Sequence, residues 1–203
     1  MYPGIFIVFE GLDGSGQSTQ AGLLREFLIK KKLPVILTKE PTLNSPAGKK
    51  IRRILDGKEK ARPQELQNLF AKDRKNHFEK TIIPGLQRGK IVICDRYFFS
   101  SFAYGAAEGL NFRQFLKLNK NFLLPDLTII LKVRPEICIK RIQKKGKKRT
   151  LFEKRAMLAK VWQNYKKLPG VFDNIRIVDG EKSILAVAGQ IKKYITSHQR
   201  LSL

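Results

Sequence analysis

Five short apolar runs recur along the chain, and glycine or polar residues end each of them. Continuous apolar runs of this length are typical of strands that are buried on both faces of a parallel sheet. The runs lie at residues 4–10, 34–38, 90–94, 127–131 and 174–178. After the first run, Leu23, Leu24, Phe27 and Leu28 recur at helical spacing, which predicts an amphipathic helix.

Strands that alternate with helices predict an α/β fold, in which a central five-stranded parallel sheet lies between two layers of helices. Polar residues follow the predicted strands, and the carboxyl ends of parallel strands meet at the sheet edge where ligands bind. No repeat or linker divides the chain. We therefore expect residues 1–203 to form one domain, with a small lid at about residues 140–152.

A glycine-rich loop follows the first predicted strand and precedes the predicted helix. Residues 11–18 read GLDGSGQS, which matches the phosphate-loop pattern G-x-x-x-x-G-K-[ST] except that Gln17 replaces the lysine. The backbone N–H groups of such a loop bind nucleotide phosphates, and the Ser18 hydroxyl is a candidate ligand of Mg²⁺. The alternative is a glycine-rich turn without a ligand. The candidate ATP-binding residues are Gly11, Asp13, Gly14, Ser15, Gly16, Gln17, Ser18 and Thr19.

Gln17 removes a positive charge from this loop. The usual lysine follows the charge that develops on the phosphates during transfer. The loss of one preorganised donor costs about 2–4 kcal/mol of transition-state stabilisation. A basic run at residues 140–149 compensates if it closes over the phosphates as a lid, and the alternative for this run is a solvated basic face. Gln17 and Arg149 are both candidate catalytic residues.

Several motifs together resemble the thymidylate kinases, P-loop kinases of nucleoside monophosphates. The similarity extends from residue 4 to about residue 180. The motifs are FEGLDG at residues 9–14, TKEP at 38–41, LFAKDR at 69–74, DRYFFSSFAY at 95–104 and VDG at 178–180. The resemblance implies a P-loop kinase fold, ATP as phosphoryl donor, dTMP as acceptor, Mg²⁺ as cofactor and a homodimer.

The resemblance also implies an acceptor pocket. Phe70 would stack on thymine, Arg74 would hydrogen-bond the carbonyl edge of the base, and Ser101 and Tyr104 would shape the pocket. An aromatic ring and a guanidinium four residues apart lie on the same helix face, so the two roles are compatible. The alternatives are core packing for Phe70 and Tyr104 and a surface ion pair for Arg74.

By the same resemblance, charged residues at the strand ends serve the phosphates. Arg96 would bind the 5′-phosphate of the acceptor, and Asp95 would lie near Mg²⁺ or the reacting phosphates. Asp13 would lie near the acceptor sugar and the metal. Lys39, which replaces the arginine usual in the family, would assist substrate binding as a point charge. Catalytic roles are thus implied for Asp13, Asp95 and Arg96, although a structural ion pair is the alternative for the last two.

The charge of the chain leaves a second function class open. The net charge is +24 and the isoelectric point is near 10.3. Such a surface attracts polyanions, so a catalytically weakened relative that binds nucleic acid is an alternative, as is a kinase of another nucleotide. A solvated lysine-rich face would give the same charge without a partner.

The remaining composition favours a cytoplasmic protein. Cys94 and Cys138 lie inside apolar stretches, which predicts buried thiols without a disulfide or a metal. No apolar run reaches the roughly 18 residues of a membrane span, and the first residues do not resemble a secretory leader.

Overall fold

The computed structural model describes residues 2–144 and 154–197. Its centre is a five-stranded sheet with the order β2-β3-β1-β4-β5, in which every neighbouring pair is parallel. The strands are β1 (Ile5–Gly11), β2 (Val35–Lys39), β3 (Ile91–Asp95), β4 (Leu127–Lys132) and β5 (Ile175–Asp179). The predicted fold class is confirmed, and each strand begins within one residue of its prediction.

Nine α-helices connect and flank these strands within the described residues. They are α1 (Gln17–Lys30), α2 (Pro46–Leu55), α3 (Pro63–His77), α4 (Ile83–Gln87), α5 (Phe98–Ala107), α6 (Phe112–Asn119), α7 (Pro135–Lys144), α8 (Arg155–Tyr165) and α9 (Ile184–Thr196). A π-helical turn at Phe78–Ile82 joins α3 to α4, and a 3₁₀ turn at Leu168–Gly170 precedes β5.

The sheet is buried on both faces because successive side chains of each strand point to opposite layers. In β1, Ile7 and Phe9 pack against α1 and α9, whereas Phe6 and Val8 pack against the layer that contains α2, α3, α5 and α8. Both layers need apolar contacts, so the strand sequence is continuously apolar rather than alternating.

Helix α1 differs slightly from its prediction. It begins at Gln17, inside the phosphate-loop motif, and its buried apolar residues are Ala21, Leu24 and Leu28. Leu23 and Phe27 are only half-buried. The predicted face is therefore rotated toward Ala21, a small residue that lets the helix approach the sheet closely.

Three further expectations can be compared with the described residues. Cys94 and Cys138 are both buried, as predicted. No helix within residues 2–144 and 154–197 is both long enough and apolar enough to cross a membrane. Residues 140–144 of the predicted lid belong to α7, whereas the rest of the lid up to residue 152, including Arg149, lies outside the described residues.

Candidate active site

The loop between β1 and α1 has the backbone geometry that a phosphate loop needs. Its three glycines have positive φ angles: 147° at Gly11, 84° at Gly14 and 105° at Gly16. A Cβ atom on Gly14 would lie 2.5 Å from the carbonyl oxygen of Cys138 in α7, so only glycine fits there. The predicted strand–loop–helix context is present, and Ser18 and Thr19 lie exposed in the first turn of α1.

Gln17 is part of the internal bracing of this loop. Its side-chain amide donates from Nε2 to the carbonyl oxygen of Gly11 at 2.8 Å, and its Oε1 accepts from Ser15 Oγ at 2.9 Å. The residue is buried, with 5% of its surface exposed. The amide therefore holds the two ends of the loop together, but it adds no charge.

A lysine at the carboxyl end of β2 lies beside the loop. The parallel register of β2 and β3 places Lys39 beside Asp95 at the carboxyl ends of the two strands. Lys39 Nζ is 2.6 Å from Asp95 Oδ2 and 3.3 Å from Ser18 Oγ. Ser18 Oγ also donates a hydrogen bond to Asp95 Oδ2. Three residues that the sequence placed near the phosphates or the metal thus form one cluster.

Arg96 is held in a strained conformation directly after β3. Its φ angle is +77°, which is uncommon outside glycine and is found at functional sites. Nη2 donates to Asp13 Oδ1 at 2.8 Å and Nη1 donates to Ser100 Oγ at 3.0 Å. The guanidinium carbon also lies 5.4 Å from the centroid of the Tyr104 ring. Burial opposes the charge, yet Tyr104 and Asp13 hold the pKa of Arg96 well above its ordinary value.

Arg74 lies in a buried polar pocket beneath the loop that follows β2. Nε donates to Glu40 Oε2 at 2.8 Å, and both side chains of this ion pair are almost fully buried. Nη1 donates to Asn119 Oδ1 at 2.6 Å and Nη2 donates to Ser101 Oγ at 3.2 Å. A surface ion pair is therefore excluded for Arg74, and Arg74 and Ser101, which the sequence assigned to one pocket, are joined by a hydrogen bond.

Comparisons with known proteins identify the family of this chain. A family model described as "Thymidylate kinase" matches residues 9–191. The chain belongs to the thymidylate kinase family. Its relatives include a "Probable thymidylate kinase" from Pyrococcus horikoshii, 43% identical with 98% of this chain and 99% of that protein covered. They also include a "Probable thymidylate kinase" from Thermococcus gammatolerans, 44% identical with 89% and 90% covered, and a "Thymidylate kinase" from Desulfotalea psychrophila, 40% identical with 90% and 89% covered.

Family membership confirms the resemblance drawn from the motifs, and the structure locates the remaining candidates. Phe70 lies one helical turn before Arg74 on α3, half-buried against the core. Tyr104 lies in α5, and its hydroxyl donates to Asp13 Oδ2 at 3.2 Å and accepts from the Asp13 N–H at 3.1 Å. Tyr104 therefore adjoins the Arg96 group rather than Arg74.

Two further residues of this thymidylate kinase family member position the site, and sequence reasoning gave neither a role of its own. Glu10 is fully buried and accepts hydrogen bonds from the backbone N–H groups of Tyr97 and Ser100 and from the Tyr165 hydroxyl. Burial raises the pKa of Glu10, while Arg96, the hydroxyls of Ser100 and Tyr165 and the Tyr97 N–H oppose the rise. Glu10 thus anchors the start of α5 next to Arg96. Its place inside the FEGLDG motif was the available signal.

The second such residue is Arg141, which the sequence placed in the basic run without distinguishing it from its neighbours. Arg141 Nη1 donates to the Ser15 carbonyl oxygen at 3.2 Å, and Nη2 donates to the Gly180 carbonyl oxygen at 3.0 Å. It joins the phosphate loop to the end of β5. The helical phase that turns Arg141 inward from α7 depends on packing, which the charge run does not reveal.

One buried cluster has the residue types of a metal site, but its side chains already form hydrogen bonds within the protein. Glu40, His77 and Cys94 place their ligand atoms within 4.8 Å of one another. His77 Nδ1 is 3.1 Å from Glu40 Oε1, and His77 Nε2 is 2.6 Å from Thr38 Oγ1. Burial raises the pKa of the Cys94 thiol well above its ordinary value, which disfavours the thiolate a metal would need. This cluster stabilises the loop after β2.

Proposed function

We propose that the protein transfers the γ-phosphoryl group of ATP to dTMP and so forms dTDP. Membership of the thymidylate kinase family supports a nucleoside monophosphate kinase. The observation that carries the proposal is the arrangement at the carboxyl edge of the sheet. There the phosphate loop, the Asp95–Ser18 pair and the Arg96–Asp13 pair adjoin one another.

The phosphate loop and the residues next to it bind the phosphoryl donor. The N–H groups of Gly14 and residues 16–18 bind the β-phosphate, since those of Asp13 and Ser15 already donate within the protein, and the start of α1 adds the positive end of a helix dipole. The Asp95 carboxylate and the Ser18 hydroxyl are hard oxygen donors, which fit Mg²⁺ because this ion is usually held by one or two protein groups together with substrate phosphates. When bound, the ion would offset negative charge on the triphosphate. The protein residues fix its position.

Two arginines, Arg96 and Arg74, bind the acceptor. Arg96 binds the 5′-phosphate of dTMP, since a guanidinium matches phosphate geometry with two parallel hydrogen bonds. Arg74 carries five N–H donors, of which the Glu40, Asn119 and Ser101 contacts use three; because the side chain is almost fully buried, the pocket must open before a carbonyl oxygen of thymine reaches the other two. Phe70 stacks on the base from the same helix. Alignment of the two phosphates is then the main catalytic contribution.

Two other functions were left open by the sequence. One is a kinase that acts on a different nucleotide, and the other is a weakened relative that binds nucleic acid. The assay described below distinguishes them, but the names of the relatives favour dTMP. Homodimer formation and nucleic-acid affinity stay predictions.

An acceptor panel tests the proposal. Purified protein is assayed with ATP, Mg²⁺ and one of dTMP, dUMP, dCMP, dGMP or AMP, and the rate of ADP formation is measured. We expect dTMP to have the highest kcat/KM. A higher value for another acceptor would redirect the assignment to that nucleotide. No measurable ADP formation with any of the five nucleotides, together with tight binding of DNA or RNA, would favour the nucleic-acid function.

A further inference from the structure

The phosphate loop lacks its own cation, and the bracing of Gln17 explains how the loop keeps its shape without one. The Gln17 amide is held on both sides, by the Gly11 carbonyl oxygen and the Ser15 hydroxyl. A side chain held in this way is directed into the loop rather than toward a ligand outside it. A positive charge for the triphosphate must therefore come from elsewhere.

Lys39 is placed to supply that charge. Its ammonium lies 3.3 Å from the hydroxyl of Ser18, the residue next to Gln17 in the first turn of α1. The backbone around Lys39 is fixed, because Lys39 pairs with Asp95 in the sheet and the Glu40 N–H donates to the Asp95 carbonyl oxygen at 3.1 Å. The side chain itself is 56% exposed, so the ammonium can move while its base stays in place.

Within residues 2–144 and 154–197, two other cations near the loop have different roles. The Arg96 guanidinium contacts Asp13 and Ser100 and is assigned to the acceptor phosphate. Arg141 donates to two backbone carbonyl oxygens, which hold its guanidinium against the protein. Lys39 differs from both, because its largely exposed side chain can turn its ammonium from Asp95 toward a neighbouring phosphate.

We propose that Lys39 binds the β- and γ-phosphate oxygens of the donor triphosphate and replaces the missing lysine of the phosphate loop. The inference rests on the proposed function in that it assumes a nucleoside triphosphate at this loop. Without nucleotide, the ammonium is held by Asp95 and Ser18. With the triphosphate bound, the same ammonium donates to phosphate oxygens. The charge lost at position 17 thus returns from the carboxyl end of β2, which β3 separates from β1.

The test is nucleotide binding without Mg²⁺ and without acceptor, so neither turnover nor the metal contributes. Calorimetric titrations with ATP in EDTA compare the native chain with Lys39→Met, Lys39→Arg and Lys30→Met. The last variant removes the same charge at the far end of α1, roughly 20 Å from the loop for a helix of this length. Thermal melting of each variant checks that it folds.

We expect Lys39→Met to weaken ATP binding by roughly 10–100-fold, as is usual for a charge-assisted contact with phosphate. Lys39→Arg should stay within about threefold of the native chain, because it keeps the charge. Lys30→Met should change binding less than about twofold, because exposed charges at that distance are screened. AMP affinity should not change in Lys39→Met, since AMP lacks the β- and γ-phosphates. The double variant Gln17→Lys with Lys39→Met should regain most of the lost ATP affinity.

Three results would overturn the proposal: unchanged ATP binding in Lys39→Met, equal losses for ATP and AMP, or, in a parallel titration with dTMP alone, weaker dTMP binding while ATP binding is unchanged. The last result would return Lys39 to the acceptor. Failure of the proposed acceptor is separable from failure of this inference. A chain that prefers another nucleotide in the acceptor panel would still show the Lys39 effect on ATP alone.

Discussion

Replacement of Arg74 by methionine should destabilise the whole fold, not only the acceptor pocket. Methionine has a similar length but removes the charge and all the donors. Glu40 would then keep its buried carboxylate with His77 Nδ1 at 3.1 Å but without its guanidinium partner. The Arg74 and Glu40 side chains are only 2% and 4% exposed, so water cannot take over the lost hydrogen bonds.

The size of the effect follows from this burial. Removal of one partner from a buried ion pair typically costs about 3–5 kcal/mol, because the other charge is left uncompensated. An exposed pair contributes at most about 1 kcal/mol. Arg52 and Asp56 form such a pair on α2, with an Nη2–Oδ1 distance of 3.0 Å and side chains 55% and 29% exposed. Arg52→Met is therefore the matched control, and we expect it to cost less than about 0.5 kcal/mol.

Urea unfolding followed by circular dichroism measures these free energies, with m-values that report whether the unfolding transition changes. The decisive comparison adds Glu40→Gln to Arg74→Met. Because the second change removes the orphaned charge, the double variant should lose at least about 1 kcal/mol less than the sum of the two single variants. Additive losses, or a loss in Arg74→Met as small as that in Arg52→Met, would refute the reasoning from burial.

Three further predictions concern other parts of the fold. Burial raises the pKa of Glu108 to about 7 from an ordinary 4.5, so between these pH values the folded state binds more protons than the unfolded state and stability should fall as pH rises. The melting temperature of Glu108→Gln should lack this decline, and a pH profile identical to that of the native chain would contradict the prediction. Arg96→Met should lower kcat/KM for dTMP by roughly 100-fold with an unchanged circular dichroism spectrum, and a native value would remove Arg96 from the acceptor site. In Gly105→Ala the new Cβ would lie 2.1 Å from the Phe115 ring, which should lower the free energy of unfolding by about 1–3 kcal/mol. The control Gly189→Ala in α9 meets no atom within 4 Å and should leave this free energy unchanged or raise it by up to about 1 kcal/mol, so equal effects of the two variants in urea unfolding would argue against a close approach of Phe115 to Gly105.

Much of the fold follows from local sequence patterns. The strands are visible because both faces of the sheet are covered, so each reads as an unbroken apolar run. The site edge is visible because polar residues such as Lys39 and Asp95 follow these runs, and parallel strands bring their carboxyl ends together. Both features depend on residues that are close in the chain.

The parts that escaped prediction depend on contacts between distant segments. The bracing role of Gln17 requires knowledge of how the loop folds back toward Gly11. The inward orientation of Arg141 requires the packing of α7 against the end of β5. The burial of Arg74 with Glu40 joins residues 34 positions apart, and a charge pattern alone cannot distinguish it from a surface pair. Roles toward dTMP and ATP themselves stay predictions, including that of Arg149.

The most direct test of the proposed activity is ³¹P NMR of the native protein with ATP, Mg²⁺ and dTMP. If the native chain, with Gln17 in its phosphate loop, is a thymidylate kinase, the γ-phosphate signal of ATP should decrease to an equilibrium level while ADP and dTDP appear in equal amounts. Conversion of ATP to ADP and inorganic phosphate without dTDP, or an unchanged spectrum for both the native chain and Gln17→Lys, would contradict the account.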